Sequence, residues 1–251
     1  MPIEFRPCRK CDKGYIFVET EKGTVATKCQ CYKNFQEKKR IEIELTKGKV
    51  PVSIVPNSIL EYDLEKDYIG TTSKDAIVPK LYKYIEKFDQ RFADKIIYFT
   101  GRMGTQKTTV ACWLAKELVK QGKKVNYVIM NDLIRLLQDK DFKEELVPYY
   151  KRLLTTDFLI IDRAFDKEQV TLYKSNYQLP FLDSFLRSRI EQYAKATCIV
   201  SNSDVESISS HGFSEDSQDF VLRKVRQFQT LFVFLDRYTQ KDDFEIENLW
   251  D

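Results

Sequence analysis

The stretch "GRMGTQKTT" at 101–109 carries the residue types that bind a chain of phosphates. In the pattern G-x-x-x-x-G-K-[ST], backbone N–H groups cradle the phosphates, the lysine reaches the β and γ phosphates, and the hydroxyl ligates Mg²⁺. Gly101, Lys107 and Thr108 match this pattern, whereas Gln106 stands where the second glycine belongs. If this position needs a positive φ, the glutamine costs on the order of 1 kcal/mol.

The surroundings of this loop favour a nucleotide site over an ordinary glycine turn that opens a helix. The loop follows an apolar strand candidate and precedes an amphipathic helix, where backbone N–H groups and the helix dipole can hold phosphates. We therefore predict that ATP and Mg²⁺ bind here. The predicted nucleotide contacts are Gly101, Gly104, Thr105, Gln106, Lys107, Thr108 and Thr109.

A second part of the site is predicted at the end of the apolar run "FLIID" at 158–162. Asp162 is expected to hold Mg²⁺ together with Thr108, and the alternative is a helix cap or a strand-end charge. The acidic residue that usually follows, and that activates the attacking water, is replaced by Arg163. An arginine cannot serve as a base, so we expect slow hydrolysis unless Asp166 substitutes for it.

Asn202 follows another apolar run, in "IVSNS", and is predicted to orient the attacking water. The alternative is that Asn202 and Ser203 only end the strand in a turn. The predicted catalytic residues of this part of the chain are therefore Lys107, Asp162 and Asn202.

Four of the six cysteines fall within the first 31 residues, as "CRKC" and "CQC". The segment between the pairs has two short strand candidates around the turn "EKG", so a hairpin would bring the pairs together. Four thiolates at one point repel each other unless a cation neutralises them, and Zn²⁺ does so tetrahedrally. Cytosolic disulfides are rare, which favours zinc over two disulfides or free thiols. The predicted zinc ligands are Cys8, Cys11, Cys29 and Cys31.

The rest of the chain alternates apolar runs with segments of helical periodicity from about residue 76. The strand candidates are 95–100, 125–130, 157–162, 197–202 and 230–235. Strands that are apolar along nearly their whole length and alternate with helices imply an α/β fold whose parallel sheet is covered on both faces. We expect a small zinc-binding module at residues 1–50, a proline-bearing linker at 51–75 and the α/β core at 76–251.

The composition narrows the class of protein further. The chain of 251 residues has 43% hydrophobic and 31% charged residues, which fits one sizeable core plus a small module. The formal net charge of +3 neither demands nor excludes a nucleic-acid partner. No apolar run approaches the roughly 20 residues that span a bilayer, and "MPIEFRPCRKC" lacks the apolar stretch of a secretory signal. We therefore expect a cytoplasmic protein with no membrane partner.

The order of these features resembles that of the DnaC/DnaI-type replicative helicase loaders of the AAA+ class. The order is a four-cysteine module, a proline-bearing connector, the phosphate loop, "IID" and "VSN", and "VPNSILEYDL" and "SRIEQYAKATCIVSNSDVESI" are also similar. The resemblance covers most of the chain. It implies a P-loop AAA+ three-layer fold and ATPase activity with ATP and Mg²⁺. It also implies a hexameric replicative DNA helicase as partner, single-stranded DNA nearby, and self-association through the ATPase core on the helicase.

In the family that this chain resembles, an arginine near the end of the core completes the site of a neighbouring subunit. The stretch "VLRKVRQF" offers Arg226 or Arg223 for this role, and Arg237 is a weaker candidate; the alternative is that all three are solvated surface charges. The family pattern has glycine at position 106 and an acidic residue at position 163. From the resemblance we expect ATP binding, and from these two departures we expect slow or absent hydrolysis.

Three functions fit these features. The first is an ATPase that recruits a replicative helicase to single-stranded DNA during DNA replication. The second is a non-hydrolysing adaptor, in which bound nucleotide fixes the shape while the zinc module binds a partner. The third is a transposition helper ATPase of the IstB kind, although the resemblance implies that such helpers lack an N-terminal cysteine module.

Overall fold

The computed structural model of the protein describes residues 4–21, 23–53, 58–69, 74–139, 143–165, 179–211, 213–228 and 230–234. Its amino-terminal part is an antiparallel hairpin of β1 (Tyr15–Thr20) and β2 (Gly23–Lys28). Helix α1 (Gln30–Lys47) begins almost directly after β2. Gly14 enters the hairpin with a φ of +95°, and a Cβ there would lie 2.8 Å from the ring of Tyr32. Only glycine fits this position without a shift of the ring.

Helix α1 continues from the hairpin into the core of the molecule. Its Ile41 and Leu45 are buried in the same apolar cluster as the central helices. Directly after α1, the carbonyl oxygen of Gly48 accepts a 2.8 Å hydrogen bond from the backbone N–H of Tyr127. The hairpin and the core therefore share this helix.

The connector between α1 and the core contains α2 (Leu64–Asp67) and leads to α3 (Lys74–Glu86). The side chain of Asp63 caps α2 by accepting a hydrogen bond from the first turn. The carbonyl oxygen of Tyr62 accepts a 2.6 Å hydrogen bond from the buried ammonium of Lys116. Burial lowers the pKa of Lys116, and this bond offsets part of the cost of burying its charge.

The core contains a five-stranded parallel sheet. Its strands are β3 (Ile96–Gly101), β4 (Val125–Ile129), β5 (Phe158–Asp162), β6 (Ala196–Val200) and β7 (Leu231–Phe234). They lie in the order β4-β5-β6-β3-β7, with every neighbouring pair parallel. The strands predicted from the sequence are confirmed. The central strands β3, β5 and β6 are buried on both faces of the sheet, whereas Val233 of the edge strand β7 is 47% exposed.

Helices cover both faces of this sheet. After α3 they are α4 (Lys107–Lys120), α5 (Met130–Asp139), α6 (Val147–Thr155), α7 (Leu179–Arg187) and α8 (Glu215–Phe228). Along β3, Ile97 and Phe99 pack in the cluster with α1, α3 and α4, whereas Ile96 and Tyr98 pack in the cluster with α5 to α8. The predicted three-layer α/β fold is confirmed. None of the described helices combines the length and apolarity needed to cross a membrane.

Candidate nucleotide and metal sites

The phosphate loop connects the end of β3 to the start of α4. Gln106 directly precedes α4 in the left-handed conformation, with φ 62° and ψ 15°, so position 106 does need a positive φ. Gly104 also has a positive φ, of 85°. At Gly101 a Cβ would lie 2.1 Å from the carbonyl oxygen of Phe234 in β7, so the neighbouring strand requires glycine at the start of the loop.

The ammonium of Lys107 lies inside the loop. Lys107 is buried at the first position of α4, and its Nζ donates hydrogen bonds to the carbonyl oxygens of Gly101 at 2.7 Å and Arg102 at 2.6 Å. These carbonyl oxygens hold the charge in the space that the loop encloses. Phosphate oxygens in that space would be stronger acceptors, because both partners of the bond would then be charged.

Thr108 and Asp162 meet at the carboxyl end of the sheet. Oδ1 of Asp162 accepts hydrogen bonds from the Thr108 hydroxyl at 3.2 Å and from the Arg163 N–H at 2.8 Å. Oδ2 accepts a 2.6 Å hydrogen bond from the hydroxyl of Tyr127. Burial, reinforced by the charge of Asp162, raises the pKa of Tyr127, so the phenol keeps its proton and remains a donor. A hydroxyl and a buried carboxylate in contact match the oxygen ligands that Mg²⁺ takes.

A cavity of about 610 Å³ opens above these residues. It brings together Lys107, Asp162 and Asn202, the predicted catalytic residues, with the predicted nucleotide contacts from Gly104 to Thr109. Gly101 lies at the start of the loop, where the absence of a side chain allows the loop to pack against β7. The structure therefore places these residues around one cavity, and the role of each side chain stays a prediction.

Arg163 is exposed and lines the cavity directly beside Asp162, at the position where an acidic residue usually activates the attacking water. Its backbone is left-handed, with a φ of 51°. Asn202 is also exposed and lines the same cavity. Asp166, the predicted substitute base, lies outside the described residues.

Two serines hold the turn that carries Arg163. Ser201 donates a 2.5 Å hydrogen bond from its hydroxyl to the carbonyl of Ala164, and Ser203 donates one of 3.2 Å to the carbonyl of Phe165. Both serines are buried. Ser201, Ser203 and Tyr127 were not predicted as site residues. The only feature of the sequence that could have indicated them is a polar group inside or just after an apolar strand.

The two arginines predicted to act on a neighbouring subunit lie on α8. Arg223 and Arg226 are exposed, and neither lines the nucleotide cavity of its own chain. Arg226 donates a 2.9 Å hydrogen bond to Glu206, and both side chains are open to solvent. Arg237 lies outside the described residues. The assignment of either arginine to a neighbouring site stays a prediction.

The four amino-terminal cysteines converge, as predicted. The Sγ–Sγ distances are 3.7 Å for Cys8–Cys11 and Cys8–Cys29 and 3.4 Å for Cys11–Cys31, and all four atoms lie within 4.8 Å of one another. A tetrahedral zinc with bonds of about 2.3 Å needs sulfur atoms about 3.8 Å apart, so the cluster fits this ion. All four are free thiols, which excludes the two-disulfide alternative in this structure. A hydrogen bond from the backbone of Lys10 contributes most to lowering the pKa of Cys8 to about 7.

The sequence profile of the IstB-like ATP binding proteins matches residues 67–210. This range is more than half of the chain and contains the loop, Asp162 and Asn202, so the chain belongs to the family of IstB-like ATP binding proteins. The four-cysteine cluster lies outside the matched range. No curated protein matches the chain.

Solved structures share the fold. The chain is similar to DnaA from Aquifex aeolicus bound to AMPPCP, with a TM-score of 0.56 and 17% identity over 74% of this chain and 56% of that one. It is also similar to a structure of the DnaC helicase loader, with a TM-score of 0.52 and 18% identity over 70% of this chain and 96% of that one. Another similar structure is of a DNA replication initiation factor, with a TM-score of 0.56 and 16% identity over 74% of this chain and 54% of that one.

The chain spans only about half the length of the initiation factor and of DnaA, and nearly the whole length of the DnaC helicase loader. Together with the family match, these similarities define an ATP-binding protein with a P-loop AAA+ fold. The predicted resemblance to the DnaC/DnaI type is confirmed at the level of family and fold.

Proposed function

We propose that this protein is an ATP-binding helicase loader that recruits a hexameric replicative DNA helicase to single-stranded DNA during DNA replication. The observation that carries the nucleotide part is the meeting of Lys107, Thr108 and Asp162 in one cavity. The loader part rests on the fold shared with a structure named as a helicase loader, and on the exposed hairpin next to the cysteine cluster. A cytoplasmic location is part of this proposal.

In the proposed site, each side chain has one task. Lys107 exchanges the carbonyl oxygens of Gly101 and Arg102 for the β and γ phosphates. Thr108 and Asp162 hold Mg²⁺, which neutralises phosphate charge when bound. Asn202 orients the attacking water, and Arg226 or Arg223 approaches the site of a neighbouring subunit when copies assemble on the helicase.

Nucleotide binding is tested by titration calorimetry with ATP and Mg²⁺. Lys107→Ala removes the charge that the triphosphate needs, so we expect binding to fall below detection. Asp162→Asn should weaken only the Mg²⁺-dependent part of the affinity. Lys120→Ala, at the exposed far end of the same helix, is the matched control and should bind like wild type. Unchanged binding by Lys107→Ala would show that the loop is not the site, and no binding by wild type would favour an adaptor without nucleotide.

The proposed helicase contact lies within residues 1–50, on the hairpin of β1 and β2 that precedes α1. The hairpin exposes apolar side chains to solvent, with Phe17 60% exposed and Val18 and Val25 each 46% exposed. Val18 and Val25 pair directly across the hairpin and share one face, whereas Phe17 lies on the other face. Exposed apolar groups on so small a module are typical of a surface that a partner covers. A metal module that carries such a surface can bind a partner without disturbing the ATPase core.

A pull-down with the helicase tests this contact. Val18→Ser combined with Val25→Ser should weaken helicase binding by tenfold or more, because it removes the exposed apolar pair from one face of the hairpin. Ile43→Ser, which alters a similarly exposed residue on α1, is the control and should bind normally. Deletion of residues 1–28 removes the hairpin while keeping the buried Ile41 and Leu45. A truncated protein that binds the helicase as well as the full chain does would rule out this assignment.

Two other functions remain in contention, each favoured by one observation. Arg163 in place of a carboxylate favours a non-hydrolysing adaptor, which phosphate release by wild type would exclude. The family match favours a transposition helper of the IstB kind. Mass spectrometry of co-purified proteins separates the two partner classes, since a helper of this kind would retain a transposase and a loader would retain a replicative helicase.

Single-stranded DNA is the proposed nucleic-acid partner, and a basic groove is its proposed surface. The groove has a volume of about 370 Å³ and is lined by Lys80, Lys83 and Arg91 together with aromatic side chains that include Phe92 and Phe228. Cationic side chains bind the phosphates of a single strand, and aromatic rings can stack on its bases.

A further inference from the structure

We propose that Gln106 is a positioning residue of the nucleotide site, because its side chain ties the phosphate loop to the connector at residues 67–69. This inference rests on the proposed binding of ATP in the loop. It reverses the reading of Gln106 as a defect in the G-x-x-x-x-G-K-[ST] pattern, since a glycine in its place could not form the tie.

The side-chain amide of Gln106 bonds to the backbone of the connector. Oε1 accepts a hydrogen bond from the N–H of Ile69 at 3.0 Å, and Nε2 donates to the carbonyl oxygen of Asp67 at 3.5 Å. The second bond is at the long limit, so the N–H of Ile69 is the main contact. The side chain makes no capping bond to α4, which leaves its amide for the connector.

The connector end of this tie is itself fixed to the core. Tyr68, between the two bonded residues, is buried, and its ring packs edge-on against Phe234 at a centroid distance of 6.0 Å. Phe234 is also the residue whose carbonyl oxygen closes on Gly101. Gly101, the first residue of the loop, therefore packs directly on Phe234 of β7. Gln106, the last residue before α4, is connected to Phe234 through the connector residue Tyr68.

The consequence falls on Lys107 and Thr108, which follow Gln106 directly. A turn that is held in place presents their side chains without having to become ordered when the nucleotide binds, and pre-organisation of this kind raises affinity. Glycine at position 106 would relieve the left-handed backbone strain but would leave the turn without its tie. With glutamine at position 106, the backbone is strained, but the side chain holds the turn in place.

Three substitutions separate the tie from the backbone conformation. Gln106→Met keeps the length and loses the amide, Gln106→Asn keeps an amide that is one methylene shorter and favours the left-handed region, and Gln106→Gly removes the strain. We expect all three to bind ATP and Mg²⁺ about 2- to 10-fold more weakly than wild type in titration calorimetry. If the Asn and Gly variants bind as tightly as wild type or more tightly, backbone conformation alone matters and the proposal is overturned.

A double-mutant cycle tests the partner of the tie. Ile69→Pro removes the donating N–H, and the ψ of 119° at Tyr68 is compatible with a following proline. Ile69→Ala keeps the N–H and reports the loss of the side chain by itself. We expect Gln106→Met to weaken binding in the Ile69→Ala background and to have little further effect in the Ile69→Pro background. Equal effects in both backgrounds would contradict the tie.

Amide hydrogen exchange of the nucleotide-free protein shows whether the bond between Gln106 and Ile69 forms, independently of whether the loop binds ATP. The Ile69 amide should exchange several-fold faster in Gln106→Met than in wild type, because its acceptor is gone. An unchanged exchange rate would show that the tie does not form in solution. If wild type binds no ATP, the proposed nucleotide site fails and the positioning role fails with it, while the exchange rate still reports on the bond itself.

Discussion

Arg163 places a positive charge at the position from which a carboxylate would polarise the attacking water. The side chain is exposed in the cavity, next to a carboxylate of Asp162 that already accepts three hydrogen bonds. A guanidinium there favours the binding of phosphate and cannot accept a proton. We therefore expect Arg163 to support ATP binding without supporting ATP hydrolysis.

We predict that Arg163→Glu raises the rate of ATP hydrolysis. Help from a general base is worth roughly 10²–10⁴-fold, so an increase of tenfold or more in kcat is expected even if the new carboxylate is imperfectly placed. Steady-state phosphate release, with and without helicase and single-stranded DNA, measures it. Arg163→Gln removes the charge without adding a base and should stay near wild type. Rapid turnover by wild type would show that another group, such as Asp166, supplies the base.

At this scale the sequence is informative where chemistry depends on local spacing. Lys107 and Thr108 follow from one motif, and Asp162 follows from its place at the end of a strand. Tyr127 and Ser201 contact the site only because β4 and β6 flank β5 in the sheet. No single segment of the sequence specifies this order of strands. Gln106 was seen as a departure from the motif, but its bond to Ile69 joins positions 37 residues apart.

The four-cysteine cluster depends on two neighbouring elements, the hairpin and α1. The hairpin returns the chain so that Cys8 and Cys11 meet Cys29 and Cys31. Cys29 is the residue directly before α1, and Cys31 lies in its first turn. The amino-terminal end of a helix favours negative charge, which suits thiolates that bind a metal.

We predict one zinc ion per chain, bound by the four clustered cysteines. Metal analysis should find it in wild type and should find none in Cys29→Ser or Cys31→Ser. Cys112→Ala, which alters a free cysteine buried in α4, is the control and should keep the metal. Chelation should unfold the hairpin, because metal binding supplies the folding energy of so small a module. It should leave ATP affinity unchanged, and freshly reduced wild type without metal would contradict the assignment.

Element positions were predictable where burial on both faces makes a strand apolar throughout, as in β3, β5 and β6. The packing of elements against each other was not. The stretch at 187–194 reads as the charged end of a helix, yet Arg189 is fully buried and donates hydrogen bonds to the carbonyl oxygens of Leu153, Thr156 and Ala196. Burial lowers the pKa of Arg189 to about 9. A charged residue in a helical pattern gives no sign that neighbouring carbonyl groups will enclose it.

Across the whole molecule, the two proposed binding surfaces lie at opposite ends of the strands of the sheet. The nucleotide cavity is at the carboxyl ends of β3 and β5, whereas the basic groove includes Phe92 before β3 and Thr230 before β7. A net charge of +3 gave no hint of this groove, because charge is balanced over the chain and not within each surface.

Nearby carboxylates are already paired with lysines outside the groove. Glu86 binds Lys87, Asp89 binds Lys123, and Asp94 binds Lys95. Within the described part of the chain, no carboxylate forms an ion pair with any of the three cationic side chains that line the groove, and its lining includes no acidic residue. The positive charge of the groove is therefore not cancelled locally, which attracts a polyanion.

We predict that this groove binds the phosphates of single-stranded DNA. Lys80→Glu combined with Lys83→Glu should weaken binding of a labelled oligonucleotide by tenfold or more in fluorescence anisotropy at about 0.1 M salt. Loss of two phosphate contacts should also reduce the slope of log K against log salt by about 1.4, since each contact on a single strand contributes about 0.7. Lys38→Glu combined with Lys47→Glu makes the same change in charge on the exposed side of α1 and serves as the control. If the control weakens binding equally, only the total charge matters and the groove is not the site; if neither variant weakens it, single-stranded DNA binds elsewhere on the protein.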